Sequence, residues 1–212
     1  MESILNYADT YGSALPLIAL IVLWHKISKE TFILFWYFIA SIIIFGYSNY
    51  LADQAKNNLF LYHLFSIIEL TLLLQYFKKI IDKKTVKKII NWLTFSFLAF
   101  SILNILLLEN LNYLNSNTQS IEFLVLIIFC FIYYNELAKT DEIVIFYRQP
   151  VFWIVTGFFI YFSCTTIIFS FYKYAIRYDK PFTSGFWVIQ ELMYLIKNIF
   201  ITYGILCFRK AK

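Results

Sequence analysis

Glycine, proline and charge are scarce in this chain. Among 212 residues there are five glycines and three prolines, and 15% of residues are charged. No G-x-x-x-G occurs, so the commonest device for close helix packing in membranes is missing. Bulky side chains are therefore expected to hold the helices apart and leave crevices for lipid or ligand. Pro16 is the only proline inside an apolar stretch, which removes the broken-helix signature of many transporter sites. No internal repeat supports an inverted-repeat design either. The three cysteines, Cys130, Cys164 and Cys207, each lie in an apolar run without a second Cys or His at ligand spacing. They read as small buried hydrophobes. There is no H-E-x-x-H, no nucleophile motif and no acidic metal cluster. No catalytic or metal-binding residue is assigned, and no cofactor is expected.

What the chain does have is apolar length. Hydrophobic residues make up 61% and aromatic residues 22%. They fall in seven blocks, 11–24, 31–52, 59–77, 89–108, 121–137, 151–172 and 186–208. A spanning helix needs about 20 mostly apolar residues, with about 17 as a lower limit. The blocks predict an all-α polytopic membrane helix bundle, one transmembrane domain over residues 1–212 with seven spans. The first block is the weakest. At ~1.5 Å per residue it rises only ~21 Å, against a hydrocarbon core of ~30 Å. If it only dips into the bilayer, six spans remain and both ends lie inside. The first twelve residues carry Glu2 and Asp9 and no basic cluster, so this block is expected to be a retained helix and not a signal peptide. The connections are too short for a soluble domain of ~50 residues, and the tail after the last block is expected to carry no output module.

The net charge of +5 reads as topology, with no direct nucleic-acid binding expected. Basic residues concentrate in alternate connections: Lys26 and Lys29; Lys78, Lys79, Lys83, Lys84, Lys87 and Lys88; Lys139 and Arg148; Arg209, Lys210 and Lys212. The opposite connections hold only Lys56, Lys173, Arg177 and Lys180. Cytoplasmic loops are enriched in Lys and Arg. The N-terminus is thus expected outside and the C-terminus in the cytoplasm, with a bacterial inner membrane as the location. Trp24 and Trp92 suit the cytoplasmic boundary, and Trp187, Tyr172, Tyr174 and Tyr178 the outer one. Residues 109–120 and 173–185 are expected as outer loops. The six lysines of 78–88 also offer a positive patch to an acidic partner protein or to anionic lipid.

Ionisable groups inside a membrane are costly and mark either packing devices or functional sites. The third block holds His63, Ser66 and Glu69, and the seventh holds Gln190, Glu191, Tyr194, Lys197, Asn198 and Thr202. Tyr62, Ser66 and Glu69 share one helix face, as do Gln190, Tyr194 and Lys197. Counted from the outer ends, Glu69 and Lys197 both lie ~15–17 Å deep, and His63 and Glu191 both ~6–8 Å deep. If the third and seventh helices touch, each level holds a pair. The first would be Glu69–Lys197, the second His63–Glu191. Such pairs either fix helix packing or line a ligand, ion or proton site. Glu122 reads as a charge at a helix N-terminus, and Asn104 as a hydrogen-bonding partner for a neighbouring helix. Seven helices with a lysine midway along the last resemble the retinal proteins in topology and in that one residue, Lys197. The resemblance implies a carboxylate counter-ion, a role open to Glu69. The chain departs from microbial rhodopsins at Met193, where they place a carboxylate, and its third helix lacks their paired aspartates.

Three classes of function fit these residues. One is a non-enzymatic membrane module that senses or binds something small or apolar, or regulates a partner protein. Another is an oligomeric ion-conducting or membrane-disrupting effector, such as a defence-linked protein. The last is an intramembrane lipid enzyme.

Overall fold

The computed structural model describes residues 8–139, 146–178 and 180–208. Among them the chain is all helical, with seven α-helices: α1 (Ala8–Val22), α2 (Ile33–Asp53), α3 (Leu59–Ile80), α4 (Lys84–Leu107), α5 (Ser116–Leu137), α6 (Pro150–Tyr178) and α7 (Lys180–Cys207). A short 3-10 turn, Phe146–Arg148, precedes α6. Five helices, α2 to α6, are long and apolar enough to cross a membrane. At the ends of the chain this differs from the seven expected spans, of which the first is already the weakest. The apolar part of α1, Tyr11–Val22, is too short. α7 is long enough, but Gln190, Glu191, Lys197 and Asn198 lower its apolar content. Such a helix is at home only where neighbours cover its polar side.

Several helices run past the apolar blocks. α4 begins at Lys84 and α5 at Ser116, before their blocks at 89 and 121. The expected outer loop at 173–185 is mostly helix, since α6 runs to Tyr178 and α7 starts at Lys180. Apolar runs mark only the stretch matched to lipid, whereas backbone hydrogen bonding continues into the interface. Pro181 sits in the first turn of α7, where its missing N–H costs nothing. The side chains of Tyr172, Tyr174 and Tyr178, and all of Arg209, Lys210 and Lys212, lie outside the described residues.

α7 packs on α1 and α6, α6 on α5, α5 on α3, α3 on α2, and α2 on α1. These six helices close a ring. α4 leans on its outside against α3 and α5 and exposes Trp92, Phe95, Leu103, Leu106 and Leu107. α3 and α7 are therefore not packed neighbours; they face each other across the ring. Its interior is filled with aromatic side chains, including the fully buried Tyr37, Phe38, Phe123, Phe158 and Phe162. Lipid tails are as apolar as these rings, so shape-matched dispersion contacts and internal hydrogen bonds must hold the ring together.

The expectation of uniformly wide spacing fails at α6–α7. A Cβ on Gly157 would lie 2.9 Å from the Lys197 carbonyl oxygen, and one on Gly204 2.7 Å from that of Pro150. Two single glycines, one on each helix, do what G-x-x-x-G does elsewhere. The expected crevice does appear where α4 splays outward. There a groove of about 440 Å³ opens beside Phe100, Ser120 and Phe169.

Candidate functional site

Lys197 lies at the middle of the ring and is 0% exposed. Its ammonium donates a hydrogen bond to the Tyr37 hydroxyl at 2.8 Å. That hydroxyl in turn donates to Glu69 Oε1 at 2.8 Å. The ammonium also lies 3.7 Å from the ring centroid of Tyr194, 4.4 Å from that of Tyr161 and 5.4 Å from that of Tyr37. Tyr37 is met at its hydroxyl edge, whereas the ring faces of Tyr194 and Tyr161 on a desolvated cation are worth about 2 kcal/mol or more. Helices α2, α3, α6 and α7 each contribute at least one side chain. The expected direct Glu69–Lys197 pair is replaced by this relay. No ion pair within 4.0 Å joins these two residues among the described ones, because α3 and α7 stand on opposite sides of the ring and Tyr37 fills the gap.

Two further groups extend the network. The Tyr194 hydroxyl and Ser13 Oγ are 2.6 Å apart, which ties α1 to the centre. On the other side, the Glu122 carboxyl is 0% exposed and faces Glu69, Ser66 and the Leu70 backbone, although neither of its oxygens closes a hydrogen bond. The reading of Glu122 as a terminal helix charge is thus corrected. α5 starts at Ser116, which puts Glu122 in its second turn and turns it inward. The site holds two carboxyls and one ammonium, a combination no apolar interior accepts without compensation.

The second expected level is also rearranged. His63 does not meet Glu191; its Nε2 lies 3.1 Å from the Tyr113 carbonyl oxygen. A carbonyl only accepts, so Nε2 carries the hydrogen. Ser66 accepts from Asn115 Nδ2 at 2.9 Å. Gln190, Glu191 and Tyr194 line a cavity of about 40 Å³ with Phe45, Tyr62 and Trp187. That volume suits one or a few waters. It is far below the ~300 Å³ of a pocket for a drug-sized molecule. Among the described residues, no three His, Cys, Asp or Glu side chains gather as metal ligands.

Asn104 bonds across helices as expected. Its Nδ2 donates to Thr118 Oγ1 on α5 at 3.0 Å and to Glu109 Oε2 at 3.0 Å. Glu109, read only as part of an outer loop, is buried. It accepts from Ser116 Oγ at 2.6 Å and from the Asn117 backbone N–H at 3.0 Å. It thereby caps α5, whose own N-cap residue Asn115 makes no side-chain cap bond.

On the opposite end of the bundle, Lys79, Lys83, Lys84 and Lys88 are exposed, with Lys78 and Lys87 half-buried. Lys83 pairs with Glu136 at 2.7 Å and Lys87 with Asp82 at 2.6 Å. The Lys87 ammonium holds the Asp82 carboxyl below the usual carboxylate range. The hydrogen bond to Glu136 pushes the Lys83 ammonium above the ordinary lysine value. Part of the positive patch is thus already neutralised within the chain.

Tyr37, Tyr161 and Ser13 are absent from the sequence-level site. Tyr37 sits in the run Phe35, Trp36, Tyr37, Phe38, where nothing marks one aromatic as a bridge. No protein-family profile, curated protein or solved structure matches the chain.

Proposed function

We propose that this chain is a non-enzymatic integral membrane module whose interior responds to a small ion, and that it acts by regulating a partner protein. The supporting observation is the relay from Lys197 through Tyr37 to Glu69. A buried cation, hydroxyl and carboxylate in series cost stability and change their mutual bonding with a single proton or ion. The small cavity above Tyr194 favours an ion or water over an organic ligand. The lysines of 78–88 are the proposed contact for an acidic partner or for anionic lipid, and the orientation follows the basic-residue asymmetry, with these lysines in the cytoplasm.

The test is ion flux through purified protein in liposomes, with Glu69→Gln and Lys197→Met alongside. The regulating module is expected to give no flux while folded and inserted. A flux that either substitution changes would instead make the protein an ion-conducting effector with the relay in its pathway.

A further inference from the structure

We propose that α3 and α5 enclose a binding site for one small monovalent cation, Na⁺ or H⁺, held by Glu122 and Glu69 with Gln119 and Ser66. It rests on the reading above only in taking the ring interior as the working site.

At the N-cap of α5 and along its first two turns, Asn115 Oδ1, Gln119 Oε1 and both carboxyl oxygens of Glu122 are buried and without a hydrogen-bond partner. The spacing i, i+4, i+7 places these three residues on one helix face. An unsatisfied buried acceptor is costly, and a cluster of them calls for an explanation. All four orphans on this face are oxygens, so what the face lacks is a donor or a positive charge. Opposite them, α3 presents Ser66 and Glu69, both close enough to interact with Glu122.

Charge at the site points the same way. Glu109, a third buried carboxyl, is satisfied apart from the site at the start of α5, by Ser116 Oγ, Asn104 Nδ2 and the Asn117 N–H. Lys197 and Tyr194 face the site from α7, Tyr37 from α2 and Tyr161 from α6. His63, on α3, is engaged by the Tyr113 carbonyl. Glu191 is half-buried at the outer cavity, beyond Tyr161. The buried set is one ammonium against two carboxyls. One monovalent cation brings it to neutrality, which a low-dielectric interior requires. A divalent ion would leave an excess positive charge. Carboxylate, amide and hydroxyl oxygens are hard ligands of the kind that replace the water shell of a small hard cation.

The experiment uses the full chain, purified in detergent. Thermal unfolding is followed against NaCl at alkaline pH, with choline chloride keeping ionic strength constant. Occupancy by Na⁺ gives a saturable rise in Tm of about 5 °C at high excess, and adding Na⁺ to a weakly buffered sample releases protons. Occupancy by H⁺ alone gives no Na⁺ shift, but an infrared band of a protonated carboxyl that fades as pH rises. Glu122→Gln is expected to remove whichever signal is found, and Gln119→Leu to weaken the Na⁺ shift at least tenfold in apparent affinity. The wild-type arms need no variant, so a misfolded substitution leaves them decisive. Absence of the Na⁺ shift together with absence of a titrating protonated carboxyl would overturn the site. That result leaves a flux-free regulating module standing. Conversely, flux in liposomes would remove the regulating reading and leave a saturable Na⁺ shift intact.

Discussion

At the scale of single residues, Tyr37 is the hinge of the buried network. Its hydroxyl donates to Glu69 and accepts from Lys197, while its ring packs edge-on against Phe38 and Phe158. Tyr37→Phe keeps the ring and removes only the bridge, leaving an ammonium and a carboxylate buried at one remove from each other. Hydrogen bonds to charged groups contribute about 1.5–3 kcal/mol each, so a loss of about 3 kcal/mol is expected in denaturant unfolding of the detergent-solubilised protein. The same loss should not appear when Tyr37→Phe is made on a background of Lys197→Met and Glu69→Gln, where no charge remains to be stranded. An equal loss in both backgrounds would show that Tyr37 matters for packing alone. The relay could not be read from sequence, because a bridging tyrosine and a lipid-facing one have the same neighbours along the chain. Matched depths did bring Glu69 and Lys197 to one level, but depth says nothing about lateral distance.

At the scale of elements, the ends and crossings of the helices carry the clearest consequences. α2 stops in a Schellman turn. The Lys56 N–H bonds the Leu51 carbonyl at 2.9 Å and the Ala55 N–H that of Ala52 at 2.9 Å. This turn holds Ala55 at φ 53°, a left-handed conformation that costs a residue with a Cβ about 1–2 kcal/mol. Ala55→Gly should therefore raise stability by about 1 kcal/mol, seen as a higher Tm with unchanged helical content by circular dichroism. Glycines on α7 predict opposite signs. A Cβ on Gly204 meets backbone atoms of Pro150 and Ile154 at 2.7 and 3.1 Å, so Gly204→Ala forces α6 and α7 apart and is expected to cost about 1–3 kcal/mol. Nothing lies within 4 Å of a Cβ on Gly185, so Gly185→Ala is expected to add about 0.5–1 kcal/mol through helix propensity. Unfolding of the two variants side by side checks both signs. Sequence alone showed that the chain is short of glycine, not which glycine is a contact, since that depends on what crosses it.

At the scale of the whole molecule, the placement of charge predicts how the bundle is oriented. The Asn57–Asn112 hydrogen bond, 2.7 Å, joins the α2–α3 and α4–α5 connections at one end, and Lys83–Glu136 joins α3–α4 to the end of α5 at the other. In cells expressing the chain with Cys130, Cys164 and Cys207 replaced by Ala, a cysteine at Asn112 should react with an impermeant maleimide from outside, and one at Lys84 only after permeabilisation. The reverse pattern would overturn the N-terminus-outside orientation. Composition and block length by themselves determined the all-helical bundle and its alternating charge, because lipid requires every backbone N–H and C=O to be satisfied within a helix and requires that helix to be apolar over a set length. The same rule stops at the lipid boundary, which is why α4, α5, α6 and α7 overrun their apolar blocks. Only the tertiary structure decided which helices are neighbours. It set α3 and α7 across a ring, turned Glu122 inward and sent His63 to a loop carbonyl. Periodicity fixes the angle of a side chain about its own helix axis, whereas contact depends on the order of the helices around the ring, and no local pattern in the chain encodes that order.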